Sequence, residues 1–261
     1  KMLKQKLSDS EFDVLVHAAG LIHPSIKIKD FYDINFEGTK NLFELSSSLK
    51  INCFIFLSSN AVYGKKGNLE LCSETSIETP INDYGKSKLL AEKYVYENIS
   101  EFKRFILRPA SFYGGNYPQK YEDYFNFIKK YFCILPFRDT YKNFTSLNLL
   151  SDTIYHIINN FDKIDSSILN VTDNGRISLE EYHHLISKHF KFKLRYFKLP
   201  NIFFDILSLF DNFFSKFGLY SKNIHLLSEA NWNTNIDSSK VFKMLGNEYH
   251  LNKKNFFSKD F

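Results

Sequence analysis

Three short apolar runs, each ending in small or hydroxylated residues, constrain this chain more than any other feature: residues 12–17, 53–57 and 104–107. Each is long enough for a buried strand and short for a helix. The stretches between them carry apolar residues at helical spacing. Within 33–49, Ile34, Leu42, Phe43 and Leu45 share a helical face. Within 82–98, Leu89, Leu90, Ala91 and Val95 do the same, and Asn82 or Asp83 can cap the start. A further strand is expected at 168–173, followed by a helix that Ser178 opens with Glu181 three residues on. Strands alternating with helices place the chain in the α/β class.

The helix at 82–98 carries Tyr84 and Lys88. Residues four apart on a helix sit one above the other, so phenol and ammonium share a face. A phenol titrates near a pKa of about 10, and a neighbouring cation pulls that value down. Such a tyrosine exchanges protons with an alcohol near neutral pH. The pair alone is common on helices, where it is most often a surface tyrosine beside a solvated lysine. Its surroundings change that reading.

Four motifs occur in order: Asp13-Val-Leu-Val-His-Ala-Ala-Gly20, Ser58-Ser-Asn-Ala-Val-Tyr-Gly64, Tyr84-Gly-Lys-Ser-Lys88 and Arg108-Pro-Ala-Ser-Phe-Tyr-Gly114. With them the chain, from about Phe12 to its end, resembles the extended short-chain dehydrogenase/reductases. Within these it is similar to the NAD-dependent epimerase/dehydratase family of nucleotide-sugar enzymes. The resemblance implies a Rossmann-type parallel sheet with a small C-terminal lobe that caps the substrate. Residues 1–172 would form the NAD(P)-binding part, with 116–142 contributing to the lobe, and 173–261 the lobe itself.

Against that family pattern the strand at 12–17 is the fourth of the sheet. The first strand and its glycine-rich pyrophosphate loop would lie roughly sixty residues earlier. No strand in this sequence leads into such a loop; Gly64, Gly67, Gly114 and Gly115 read as turn glycines. The expectation is therefore of a sheet lacking its first strands and of an N-terminally incomplete chain, whose residues 14–16 would form an exposed apolar edge. Isolated, such a chain is expected not to bind a nicotinamide cofactor.

The resemblance also carries roles. Tyr84 is the implied acid/base, Lys88 lowers its pKa and holds the nicotinamide ribose, and Ser59 orients the sugar. His17, Ala18, Ala19, Asn35, Ser58, Pro109 and Ala110 are implied on the cofactor, with Asn35 helping to hold the lysine and a water. Asn60, Ser111 and Lys142 are implied on the substrate. Lys142 stands where the family commonly has an arginine that grips the diphosphate; it supplies charge without the bidentate fork. Arg108 is either part of the site or a structural ion-pair partner, while Tyr113 and Gly114 shape a turn. Asn60 and Ala61 replace the Asp-Glu pair of family dehydratases, which argues against 4,6-dehydration.

The implied function is epimerisation of a nucleotide sugar through transient oxidation at C4. A 4-keto-sugar reductase and a catalytically inactive fragment are the alternatives. The cofactor implied is NAD, with NADP open, since the residue that separates them follows a strand outside this sequence. A role in polysaccharide biosynthesis, a cytoplasmic location and a homodimer joined through the helices at 33–49 and 83–98 follow by the same analogy.

Composition removes other classes. A net charge of +5 comes from scattered lysines without a basic stripe, so nucleic acid is not expected as a partner. Cys53, Cys72 and Cys133 have neither metal-ligand spacing nor an even disulfide count. His183 and His184 are adjacent, diverge on a helix, and read as structural. Residues 121–132 form an aromatic amphipathic helix, expected as core, and 237–246 a late Asp-x-Ser-Lys helix. The most apolar helix, 201–217, shows Ile202, Ile206, Leu209, Phe210 and Phe213 on one face. Asp205, Asp211 and Lys216 interrupt it, so it is no membrane span. It is expected to pack on its neighbours in the lobe, with peripheral membrane contact as the other reading.

Overall fold

The computed structural model of the protein describes residues 11–22, 28–67, 70–114, 119–130, 132–217, 219 and 221–257. At its centre lies β2 (Cys53–Leu57), whose sequence CFIFL offers apolar side chains to both faces and is buried on both. It pairs in parallel with β1 (Val14–His17) on one side and β3 (Lys103–Pro109) on the other. β3 in turn pairs with β8 (Ser167–Val171), so the parallel sheet runs β1-β2-β3-β8. Among the described residues β1 has a neighbour on one side only, and Val16 is exposed.

Alternate residues along these strands feed two cores. Phe54, Phe56 and Ile106 pack against Phe43 of α1 (Gly38–Leu49) and Ala91 and Val95 of α2 (Asp83–Glu97). Cys53, Ile55, Phe105 and Leu107 face Leu149, Leu150 and Ile157 of α4 (Leu147–Asn160) and Val241 of α8 (Ser239–Leu245). Helices on both faces of a parallel sheet put the carboxyl ends of the strands in reach of ligands.

The rest of the chain gathers at that carboxyl edge. α3 (Gln119–Lys130), β5 (Cys133–Pro136), α5 (Leu179–His189) and β10 (Tyr196–Leu199) share a small core of Phe125, Ile128, Cys133, Leu135 and Ile186. β5 and β10 pair in parallel. Two smaller pairs sit nearby: β4 (Ser111–Tyr113) with β7 (Phe144–Ser146), and β6 (Tyr141–Lys142) with β9 (Ile177–Ser178). Two further helices follow β10: α6 (Asn201–Lys216) and α7 (Lys222–Ser228).

Local chemistry sets the ends. Asn82 caps α2 by accepting from the Gly85 amide at 2.8 Å, and Ser178 caps α5 by accepting from the Glu181 amide at 3.1 Å. Gly64 ends the turn after β2 with φ +68°, where a Cβ would stand 2.0 Å from the Thr79 carbonyl oxygen. Tyr113 closes the turn after β3, stacked on Phe256 at 4.5 Å. Gly115 lies outside the described residues.

The structure departs from the sequence reading in two places. The helix expected over 33–49 begins with Lys29–Phe31 and passes through a wide π-wound stretch, Tyr32–Glu37, before α1. Asn35 lies in that stretch, and such widenings often accompany functional residues. The second departure is α6. Its apolar face was expected to pack within the lobe, yet Ile202, Ile206, Leu209, Phe210 and Phe213 are all exposed. The periodicity was legible; the direction in which the helix turns its face is a matter of tertiary packing.

Candidate active site

The end of β2 gathers the chemistry. Ser59 follows the strand in extended conformation, and its hydroxyl accepts from the Ala61 amide at 3.2 Å as a short 3-10 turn begins at Asn60. Tyr84 and Lys88 reach the same place from the first turns of α2. The Ser59 side chain is near enough to the Tyr84 phenol to lower its pKa. Lys88 is buried and donates to the Leu57 carbonyl at 2.8 Å, with its ammonium 4.8 Å above the Phe56 ring. Burial lowers the Lys88 pKa to about 8, and Glu92 partly offsets that.

The phenol is not tuned as the four-residue spacing alone suggests. Burial pushes the Tyr84 pKa above its usual value, the Ser59 side chain pulls it down, and the Glu229 carboxylate raises it again. In this state Lys88 is directed at the Leu57 carbonyl and desolvation outweighs any help it gives. The resting phenol keeps its proton at neutral pH.

The loop after β1 completes this end. Ala18, Ala19 and Gly20 are small and exposed, and a Cβ on Gly20 would stand 3.1 Å from Lys88 Nζ and 3.3 Å from Asn35 Oδ1. Asn35 is buried and holds the loop by both backbone groups of Leu21: its Oδ1 accepts from the amide at 2.7 Å and its Nδ2 donates to the carbonyl at 2.9 Å. The same amide nitrogen lies 3.1 Å from Ser87 Oγ, which donates to the Tyr84 carbonyl. Asn35 thus ties the β1 loop to the helix that carries the tyrosine and lysine. Behind it, Thr39 donates to the Asn35 carbonyl at 2.6 Å, so His17 Nε2, 2.9 Å from Thr39 Oγ1, must be the donor. His17 is stacked on Phe56, and burial, then Lys88, lower its pKa to about 4. It is a neutral histidine at physiological pH.

Other expected site residues take different places. The Ser58 amide extends the ladder to the Leu107 carbonyl at 2.7 Å, while its buried hydroxyl makes no hydrogen bond among the described residues. Ala110 donates its amide to Thr145 Oγ1 at 2.8 Å, while Ser111 is exposed beside it. Pro109 is the last residue of β3. Arg108 is structural. Its guanidinium is 1% exposed, pairs with Glu92 at 2.6 Å and Glu78 at 2.8 Å, and donates to Tyr63 Oη at 2.9 Å. Tyr63 donates onward to Asn170 Oδ1 at 2.8 Å. His183 is buried, with Nδ1 2.6 Å from the Leu179 carbonyl oxygen.

A second group, which the sequence reading missed, faces the tyrosine from the lobe. Glu229, just past α7, accepts from Asn82 Nδ2 at 2.6 Å, and Asn82 is the residue that caps α2. His225 lies between two carboxylates, with Nδ1 2.8 Å from Asp211 and Nε2 3.3 Å from Glu229. Burial alone would lower its pKa, but Asp211 and Glu229 carry it above the usual histidine value. Lys142 donates to the Glu229 carbonyl at 3.1 Å, and burial lowers its pKa to about 8. Lys142 therefore sits on the Tyr84 side of the lobe, beside a carboxylate. No local spacing announces Glu229, because it meets the others only through packing across 147 positions.

A separate cleft of about 840 Å³ opens beyond the carboxyl end of β8, between Asp173, Asn174, Arg176 and Ser238. Its polar groups are engaged with one another, as in Thr172 with Ser238 at 2.9 Å and Asp173 with Ser146 at 2.9 Å. Ser59, Tyr84 and Lys88 do not line it.

Comparison with known proteins agrees with this geometry. A family model described as NAD dependent epimerase/dehydratase family matches residues 1–131. The uncharacterised protein y4nL of Sinorhizobium fredii is 27% identical over 254 residues, covering 92% of this chain and 70% of its own. UDP-glucose 4-epimerase 2 of Oryza sativa is 37% identical over 112 residues, 41% of this chain and 27% of its own. Among solved structures, UDP-glucuronic acid 4-epimerase from Bacillus cereus in complex with NAD superposes with a TM-score of 0.72 at 18% identity, over 97% of this chain and 74% of that one.

Proposed function

The chain belongs to the NAD-dependent epimerase/dehydratase family, and from that premise we propose that it inverts or reduces a nucleotide sugar at C4, with inversion the reading we favour. The observation that carries the proposal is the meeting, at one strand end, of the Ser59 hydroxyl, the buried Tyr84 phenol whose pKa it lowers, and buried Lys88 anchored on the Leu57 carbonyl. A nicotinamide fits this end of the sheet. The small Ala18–Gly20 backbone leaves the floor open where a side chain on Gly20 would crowd Lys88. Related structures hold such a cofactor, NAD in the Bacillus cereus enzyme. When bound, the cofactor supplies the hydride acceptor and donor.

The residues of this chain would manage position and protons. Tyr84 is the group that takes the proton of the reacting hydroxyl and later returns it. The Ser59 hydroxyl, beside the phenol, is the group that would hold the sugar oxygen in line with it. Lys88, fixed on the Leu57 carbonyl, supplies the positive charge that makes the phenolate accessible once substrate displaces water. Asn35 keeps the β1 loop in register with α2. Lys142 brings a cation to the side where a diphosphate would lie. Asn60 and Ala61 offer no carboxylates for removing water, in keeping with inversion or reduction.

The test is turnover on a panel of UDP-hexoses with NAD, followed by NMR of the sugar C4 centre. Tyr84→Phe should lower kcat by roughly 10²–10⁴-fold with an unchanged circular dichroism spectrum. Activity within a few fold of the parent protein would remove Tyr84 from the chemistry.

A further inference from the structure

The helix that carries Tyr84 is held at its start by a chain of contacts from the lobe. Asn82 uses both ends of its side-chain amide: Oδ1 accepts from the Gly85 amide at 2.8 Å, and Nδ2 donates to Glu229 Oε1 at 2.6 Å. Glu229 thereby fixes which way the capping amide is turned, because acceptor and donors sit on opposite sides of it. Glu229 is in turn held by His225, one helical turn earlier, whose Nε2 lies 3.3 Å from the same Oε1. The other ring nitrogen, Nδ1, lies 2.8 Å from Asp211 of α6. His225 is 8% exposed, so little of the ring is left to water.

Carboxylates accept hydrogen bonds and do not donate them, so a ring with a carboxylate at each nitrogen carries hydrogen on both and is an imidazolium. Acids face it from three elements: Asp211 of α6, Glu229 just past α7 and Asp83 of α2. Lys142 of β6 meets the group at the Glu229 carbonyl, 3.1 Å away. Were the ring to lose a proton, the longer and weaker contact, the one to Glu229, would be lost. A lone pair would then face the carboxylate and push it from Asn82. The cap on the first turn of α2, where Tyr84 stands, would loosen with it.

We propose that His225 is a positioning residue: as an imidazolium anchored on Asp211, it seats Glu229 against Asn82 and so fixes the start of α2 that carries Tyr84. Its effect on turnover rests on Tyr84 being the group that moves the proton; its hold on α2 does not. Hydrogen exchange of the Gly85 amide, followed by NMR in protein made with isotope-labelled glycine, reads that hold directly. The Gly38 amide, bonded to the Asp33 carbonyl, is the control. His225→Leu should lower the protection of Gly85 at least about tenfold and leave Gly38 unchanged. His225→Gln, whose amide still donates to Glu229, should restore it to within about threefold of the parent protein. In the parent protein, protection of Gly85 should also fall at least about threefold as pH rises through the titration of the His225 ring, and in His225→Gln it should not. On a UDP-hexose, kcat should drop about tenfold in His225→Leu with KM within about twofold, and recover in His225→Gln. Equal protection of Gly85 in the three proteins, or a pH dependence that persists in His225→Gln, would overturn the proposal. So would an unchanged kcat in a His225→Leu protein whose Gly85 has lost protection. If His225→Leu loses its circular dichroism spectrum, the pH comparison between the parent protein and His225→Gln decides. A parent protein without turnover would overturn the chemistry at C4, and Gly85 would still decide the hold on α2.

Discussion

At the scale of single residues, the site divides into groups that announce themselves and groups that do not. Tyr84 and Lys88 are one helical turn apart and Ser59 follows an apolar strand, but it is the resemblance of four ordered motifs, and not spacing, that singles the three out in the sequence. Their tuning was not legible there, because desolvation and the Glu229 carboxylate depend on what the lobe brings over the phenol. Glu229→Gln makes that contribution measurable. The amide still accepts from Asn82, but the negative charge near Tyr84 is gone, so the phenol should ionise more easily. The limb of the pH–kcat profile that follows Tyr84 should move to lower pH. An unmoved limb would mean that the carboxylate is screened from the phenol.

At the scale of elements, β3, α2 and the turn after β2 are fastened by one buried cation. Arg108 faces Glu92 of α2, Glu78 and the Tyr63 hydroxyl, and Tyr63 reaches Asn170 of β8. Arg108→Met would leave Glu92 buried without its counterion and should lower unfolding stability by about 3–5 kcal/mol in urea titration. Arg108→Met/Glu92→Met removes both charges and should lose much less. A double variant as unstable as the single one would place the stabilisation elsewhere. The same scale shows where periodicity stops being informative. It identifies the apolar stripe of α6, but not that the stripe faces out, which tertiary packing decides. It likewise gives no sign of the π-wound turn at Asn35, whose loop clamp is a tertiary demand.

At the scale of the whole molecule, buried ionisable groups shape the response to pH. His17 and His183 titrate near 4 in the fold against 6.5 when unfolded, so the unfolded chain binds extra protons between those values. Stability should fall as pH drops through that window, by on the order of 3 kcal/mol per histidine at its limit. Lys88 and Lys142, near 8 in the fold against 10.5, make stability rise again above pH 8. Cys53 and Cys133, raised from 9 to about 12, begin to oppose this above pH 9. Tyr63 and Tyr113, raised from 10 to about 12, turn the curve downward above pH 10. The urea midpoint should therefore climb from pH 4 to 6.5 and peak near pH 9. A flat acid limb would mean that both histidines charge within the fold. The layering behind these burials was foreseeable, because runs such as CFIFL are apolar on both faces and demand helices on each side.

The Arg108–Tyr63 contact also bears on how kinship should be weighed. Two of the most recognisable signatures in the chain, the one ending in Tyr63-Gly64 and the one opening with Arg108-Pro109, are halves of a single mechanical fastener. A homologue that keeps both attests to an inherited scaffold, whatever reaction it runs. The catalytic pedigree rests on the three side chains at the tip of β2, and a lineage could lose those while every other hallmark survived.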